Sequence, residues 1–280
     1  MQDIALIIST TLMYSTPLIF AALGGVFSEN SGIVNIGIEG MMTIGAFAGA
    51  AAGYMLGNPW LAFIIGGLAG GLFALVHALA TVTFNADHTI SGVAINLLAP
   101  GVALFASKIM FDGATMTPTI PMEQKIPRPL NGLFPSGSIL DTIFNAYATV
   151  FIAFILVAVT WYVLYKTKFG LRIRAVGEHP GAADTLGISV AKTRYAAVII
   201  SGILAGLGGA SMSLAVVSSF RPTLISGHGY IAMAAVIFGK WRPQWAMAAC
   251  LLFGFSTALS VYFGNPELPF SINENLLSMI

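Results

Sequence analysis

Residues 147–165 read YATVFIAFILVAVTWYVLY, nineteen residues without a charge, and run directly into Lys166-Thr167-Lys168-Phe169-Gly170-Leu171-Arg172-Ile173-Arg174. A helix rises 1.5 Å per residue, so roughly 20 apolar residues cross the ~30 Å hydrocarbon layer of a bilayer. This stretch is therefore a transmembrane helix leading into a basic loop. Six comparable runs stand at about 4–27, 33–57, 60–84, 89–111, 195–218 and 244–263. A shorter run, 230–239, lies between Gly227-His228-Gly229 and Lys240-Trp241-Arg242-Pro243. At ten residues it is a half-helix or a broken span. The expected fold is an all-α polytopic membrane protein of about eight transmembrane helices, one of them short or broken, in a single domain over 1–280. A β-barrel would show alternating ten-residue segments, which are absent.

Composition gives the same answer. The 280 residues are 57% hydrophobic and only 8% charged, where soluble domains carry about a quarter. Mean hydropathy is +0.87. So little polar surface cannot wrap a water-facing shell around the core, and lipid must be the surrounding solvent. A net charge of +1 excludes a basic nucleic-acid binder. Cys250 is the single cysteine, so it forms no internal disulfide and builds no zinc or iron–sulfur site. No metal site is expected.

No Lys or Arg precedes Lys108, so no cleavable signal peptide is expected and the first span is retained. Segment 166–194 holds six of the twelve basic residues against Glu178 and Asp184, which makes it the cytoplasmic loop. Counting spans outward from it, with the short run taken as a crossing, places Lys240 and Arg242 inside, and Lys108, Lys125, Arg128, Arg221 and the N-terminus outside. Five of thirteen prolines fall in 112–146, which reads as an extended external loop.

Gly45, Gly49, Gly53 and Gly57 recur at every fourth position, followed by Gly66/Gly70, Gly67/Gly71 and Gly202, Gly206, Ala210. Small residues at this spacing let helix backbones approach closely. The same smooth faces permit either static packing or sliding.

A carboxylate inside a span is costly and must face protein or water. Glu39 is the acidic residue that lies well within an apolar run, four residues after Asn35 and so on the same face of a helix. Glycines 32, 37 and 40 suggest that the helix is interrupted there. Asn35, Glu39 and Asn96 are the candidates for a polar solute pathway, the competing reading being hydrogen bonding for architecture alone. His77 and His88 read as structural, since neither has a second ligand at metal spacing. No phosphate-binding G-x-x-x-x-G-K-[ST] loop, H-E-x-x-H, G-x-S-x-G or G-x-G-x-x-G occurs. No catalytic residues are expected and the chain does not itself hydrolyse ATP.

Within the basic loop, 169–188 reads FGLRIRAVGEHPGAADTLGI. Pro180 suits a first helical turn, Ala182 to Leu186 can continue it, and Gly187 suits a left-handed stop, giving a two-turn helix over 178–187. Such an element transmits force only if something cytosolic grips it.

With Asn35-Ile36-Gly37-Ile38-Glu39-Gly40-Met41-Met42 and the Ala232 to Gly239 run before Lys240, this segment resembles the permease subunits of ABC importers of the branched-chain amino acid, ribose and nucleoside group. It is most similar to those working with nucleoside-binding lipoproteins. The resemblance implies a multi-pass protein of the bacterial plasma membrane that imports nucleosides with three partners: a cytoplasmic ABC ATPase, a second and paralogous permease, and an extracellular binding lipoprotein. It also implies that Glu178, His179, Pro180, Ala182, Ala183, Leu186 and Gly187 form the coupling helix that docks on the ATPase. ATP and Mg would then bind the ATPase, and this chain would carry no cofactor. Gly181 stands where some importer classes place Glu. Family members end with a further helix and a basic tail, so 273–280 reads as the start of a span cut short. A permease for ribose or another simple sugar, an ion-coupled secondary transporter and a non-transporting scaffold are the rival readings.

Overall fold

The computed structural model describes residues 2–135 and 138–264. Its described residues form eleven α-helices and no strand. In chain order these are α1 Gln2–Asn30, α2 Ile38–Leu56, α3 Pro59–Ala78, α4 His88–Met110, α5 Ile139–Phe144, α6 Ala148–Lys166, α7 Lys168–Glu178, α8 Pro180–Thr185, α9 Val190–Ser211, α10 His228–Phe238 and α11 Pro243–Phe263. Single π-turns extend α3 to Thr83 and α9 to Val216. Six helices are long and apolar enough to cross a membrane: α1, α3, α4, α6, α9 and α11, with α3 and α9 counted through their π-turns. The protein is an integral membrane protein. The run read as a span over 273–280 lies outside the described residues.

Helix α9 forms the centre, wrapped by α1, α2 and α3. In its apolar window 78% of residues are buried, against 22% in α4 and α11, which lie on the periphery. The glycine ladders explain this closeness. A Cβ on Gly70 would sit 2.7 Å from the Gly206 Cα, and one on Gly66 would sit 2.7 Å from the Gly45 carbonyl oxygen. Lipid gives no hydrophobic push between helices, so van der Waals contact of bare backbones supplies the adhesion.

The bundle has two distinct ends. One carries α7, α8 and Lys240-Trp241-Arg242 and is called the basic end. The other carries segment 112–146 and the α2–α3 turn. Within segment 112–146 the described residues form more than an extended loop: they contain a 3₁₀ turn at Met122–Gln124 and helix α5, and they bury Ile120 and Ile126. Its Ile120 N–H donates to the Ser218 carbonyl at 2.8 Å, and its Thr117 Oγ1 accepts the Phe220 N–H at 2.9 Å.

Two expectations are corrected. The apolar run 33–57 is not one helix, because α2 starts only at Ile38. Gly32 adopts φ +84° and 33–35 carry no regular structure, so Asn35 precedes the helix and shares no helical face with Glu39. The two-turn helix expected over 178–187 is likewise divided. Glu178 closes the eleven-residue α7, His179 turns the chain with φ −143° and ψ 81°, and α8 begins at Pro180. A residue before proline is driven out of the helical region by the pyrrolidine ring, which places the bend at His179.

Candidate functional site: a helix break capped across the bundle

Helix α10 starts inside the bundle. From Ser218, bonded to Ile120 at the proline-rich end, the chain runs without helix to Gly227 and only then becomes helical. Ile120 packs near Gly53 of α2, whereas Gly227 meets Glu39, fourteen residues further along the same helix. That separation is about 21 Å of helix. The connection thus descends through much of the bundle before α10 carries the chain to the basic end.

A helix start leaves backbone N–H groups without partners. Gly227, the N-cap of α10, has no side chain to offer. Glu39, in the first turn of α2, supplies the acceptor instead. Its Oε1 accepts the Gly227 N–H and its Oε2 the Gly229 N–H, both at 2.6 Å. An anionic acceptor at the positive end of a helix dipole gains from charge as well as hydrogen bonding. Both glycines are required: Gly227 has φ +96°, and a Cβ on Gly229 would fall 2.5 Å from the Glu39 Cα.

Asn96 of α4 closes the other side of this junction. Its Oδ1 accepts the Gly40 N–H at 2.8 Å, while its Nδ2 donates to the Ile36 carbonyl and to the Tyr230 hydroxyl, each at 2.9 Å. One amide therefore satisfies the start of α2, the segment before it and the first turn of α10. Glu39 and Asn96 are brought together. Asn35 is set apart: it is fully buried, its Nδ2 donates to Ser201 Oγ of α9 at 2.9 Å, and its Oδ1 has no hydrogen-bond partner.

The break at 31–37 is held from several helices at once. Ser28 donates to the Ile33 carbonyl at 2.7 Å, and the Arg194 Nε donates to the Ser31 carbonyl at 3.3 Å. The His77 ring sits 2.8 Å from Ser91 Oγ and 3.4 Å from the Val34 carbonyl, and His88 Nδ1 accepts the Val34 N–H at 3.4 Å. Non-helical backbone at membrane depth survives only with such partners or beside water.

At the basic end, α7 buries Gly170, Ile173 and Val176 and lies flat on the bundle. Its Gly177 packs on Asn30 and Gly32. Helix α8 projects from it. Glu178, His179, Pro180, Ala182 and Gly187 are exposed, Leu186 is 80% exposed, and Ala183 alone among the expected coupling residues is buried. Gly187 adopts φ +77°, and the N–H groups of Gly187 and Ile188 close the helix on the Asp184 and Ala183 carbonyls. A cleft of about 470 Å³ beside α7 is lined by Glu29, Asn30, Arg174, Glu178, Lys240 and Trp241. Within it the Trp241 indole donates to the Glu29 carboxylate.

The family model for the permease component of the branched-chain amino acid transport system matches residues 7–279. The chain belongs to that family. Among known relatives, this permease is 47% identical to the guanosine ABC transporter permease protein NupQ of Bacillus subtilis, covering 93% of this chain and 83% of that one. It is 43% identical to the nucleoside ABC transporter permease protein NupC of Lactococcus lactis, over 94% and 84% of the two chains. It is 36% identical to the putative glucose ABC transporter permease protein TsgC13 of Haloferax volcanii, over 98% and 82%. No solved structure matches it. The permease is accordingly a transport component and not an enzyme.

Ser201, Gly227, Gly229 and Tyr230 were not singled out in the sequence as site residues. A signal existed for the glycines. Gly227-His228-Gly229 opens a run too short to cross alone, and a helix starting inside lipid needs an acceptor. Glu39 is the acidic residue placed to provide one.

Proposed function

We propose that this chain is a membrane-spanning subunit of an ATP-driven importer of nucleosides in the bacterial plasma membrane. The observation that carries the reading is the 47% identity with a guanosine permease protein, spread over nearly the whole chain. In this reading a second permease subunit completes the pathway, an extracellular binding lipoprotein delivers the solute, and a cytoplasmic ABC ATPase binds ATP and Mg. Eight crossings follow if α2 and the descent plus α10 each count as one. The N-terminus is then external and the basic end cytoplasmic, as the distribution of Lys and Arg requires.

The coupling element is α8 with its flanks: Glu178, His179, Pro180, Ala182, Ala183, Leu186 and Gly187. Its support is an apolar Leu186 presented to water beside a helix whose one buried side chain is Ala183. From α8, contacts run inward through Gly177 on Gly32 and Arg194 on Ser31 to the break at 31–37. Beyond that break, Asn96 and Glu39 hold α10. Motion of the ATPase therefore has a continuous packed route to the half-helix. Asn96 serves the pathway face, while Glu39 and Asn35 hold the elements that line it.

The test is uptake by the reconstituted complex with ATP inside proteoliposomes. Labelled guanosine or uridine accumulates, unlabelled nucleosides compete, and ribose and glucose do not. The kinship with a putative glucose permease favours a sugar as the second reading. Competition by glucose but not by nucleosides establishes that alternative. Uptake that persists without the ATPase and collapses with an uncoupler refutes both.

A further inference from the structure

The connection 217–227 contains exposed residues along its descent: Arg221, Thr223 and Ser226, followed by Tyr230 in the first turn of α10. Tyr230 lies eight residues before Phe238, about 12 Å of helix from the basic end. Exposed polar side chains on a non-helical stretch inside the bundle, as at Thr223 and Ser226, cannot face hydrocarbon, because lipid offers them no hydrogen bonds. They face water or a protein surface that encloses water.

Tyr230 is 48% exposed on this face. Its hydroxyl oxygen accepts the Asn96 amide N–H at 2.9 Å, and Asn96 is itself fixed by Gly40 and Ile36. A phenol that accepts one hydrogen bond still has its own proton to donate. The ring is thus held at its tip, with an open face and a donor directed away from Asn96. Such a group suits a flat, neutral heteroaromatic ring carrying a carbonyl or ring-nitrogen acceptor, by stacking and one hydrogen bond.

We infer that Tyr230, positioned by Asn96, is a contact point for the base of the solute within the translocation path, and that Arg221, Thr223 and Ser226 line the same path on its outer side. This rests on reading the cargo as a nucleoside. Glu39 supports the site from behind by capping α10, without touching the solute.

The experiment uses the complete complex in membranes. Cys250 is fully buried, so the unmodified chain gives a low background with a water-soluble thiol reagent. Ser226→Cys and Tyr230→Cys react at least about tenfold faster than Leu72→Cys on the exposed apolar face of α3, since reaction requires a hydrated thiolate. Saturating guanosine slows labelling at 230. Tyr230→Leu lowers uptake at limiting nucleoside about tenfold and Tyr230→Phe about threefold, with equal amounts of complex in the membrane. Nucleoside uptake by the unmodified complex together with equal labelling at 226, 230 and 72, or with unchanged uptake in both Tyr230 variants, overturns this site and leaves the cargo reading intact. Sugar uptake in place of nucleoside uptake overturns the cargo reading, and the stacking role with it.

Discussion

Helices α8 and α10 are both short and both begin beside a glycine or proline signal, yet they are stabilised in opposite ways. Helix α8 is closed by neighbours in sequence: Pro180 at its first turn, Gly187 at its stop, and backbone bonds to Asp184 and Ala183. Apart from Ala183 it is bathed in solvent, and nothing lies within 4 Å of where a Cβ on Gly187 would sit. Helix α10 is started by a carboxylate 188 residues away and steadied by an amide on a third helix. An element closed locally can be altered without disturbing the bundle. One capped from a distance makes the bundle depend on a single side chain.

That contrast can be broken experimentally, and the sharpest attempt is at the junction. Gly229→Val forces a side chain into the Glu39 backbone. Overpacking of this kind costs about 1–3 kcal/mol, and loss of both carboxylate bonds adds to it. The purified variant should melt far below the wild type in detergent and show no uptake. Glu39→Gln keeps the shape but leaves a single acceptor oxygen, so one of the two bonds loses its charge and the other is lost to an amide NH2 facing an N–H, a cost of at least about 2 kcal/mol. Its melting temperature should fall and its uptake drop severalfold; a variant that melts and transports like the wild type would reduce Glu39 to ordinary packing.

Ser201→Ala removes the partner of the Asn35 amide, for about 1 kcal/mol. A small drop in melting temperature with near-normal uptake is expected, because Asn35 is fully buried. Gly187→Val should have the smallest effect on melting. The strain of φ +77° in a branched residue is relieved by fraying of α8 alone. In the proposed assembly its uptake should nonetheless collapse while the ATPase continues to turn over and the binding protein still docks. Equal loss of stability in the Gly187 and Glu39 variants would erase the distinction between the two helices.

Much of this was legible in the residues. Apolar runs flanked by charge are a one-dimensional signal, since crossing hydrocarbon depends on length and hydropathy, and six of the expected spans are long apolar helices. The exception is instructive. Glu39 and the four glycines Gly40, Gly45, Gly49 and Gly53 dilute the hydropathy of α2, although the ladder within it does what its spacing implied. Pro180 and Gly187 occupy the positions their chemistry predicts, while the bend at His179 follows from the residue before a proline leaving the helical region. Glu39 and Asn96 could be picked out because polar groups inside spans are few.

Composition and near neighbours set the surrounding solvent, the helical class, the basic end and the Pro180 start and Gly187 stop of α8, because each depends on residue content or on contacts within a turn or two. The packing of the helices alone made Glu39 cap α10, let Asn96 join three segments, tied Asn35 to Ser201 instead of to either, and left Tyr230 half exposed beside them. Those outcomes depend on which helices lie side by side, and hydrogen bonds between residues far apart in sequence leave no periodic trace along the chain.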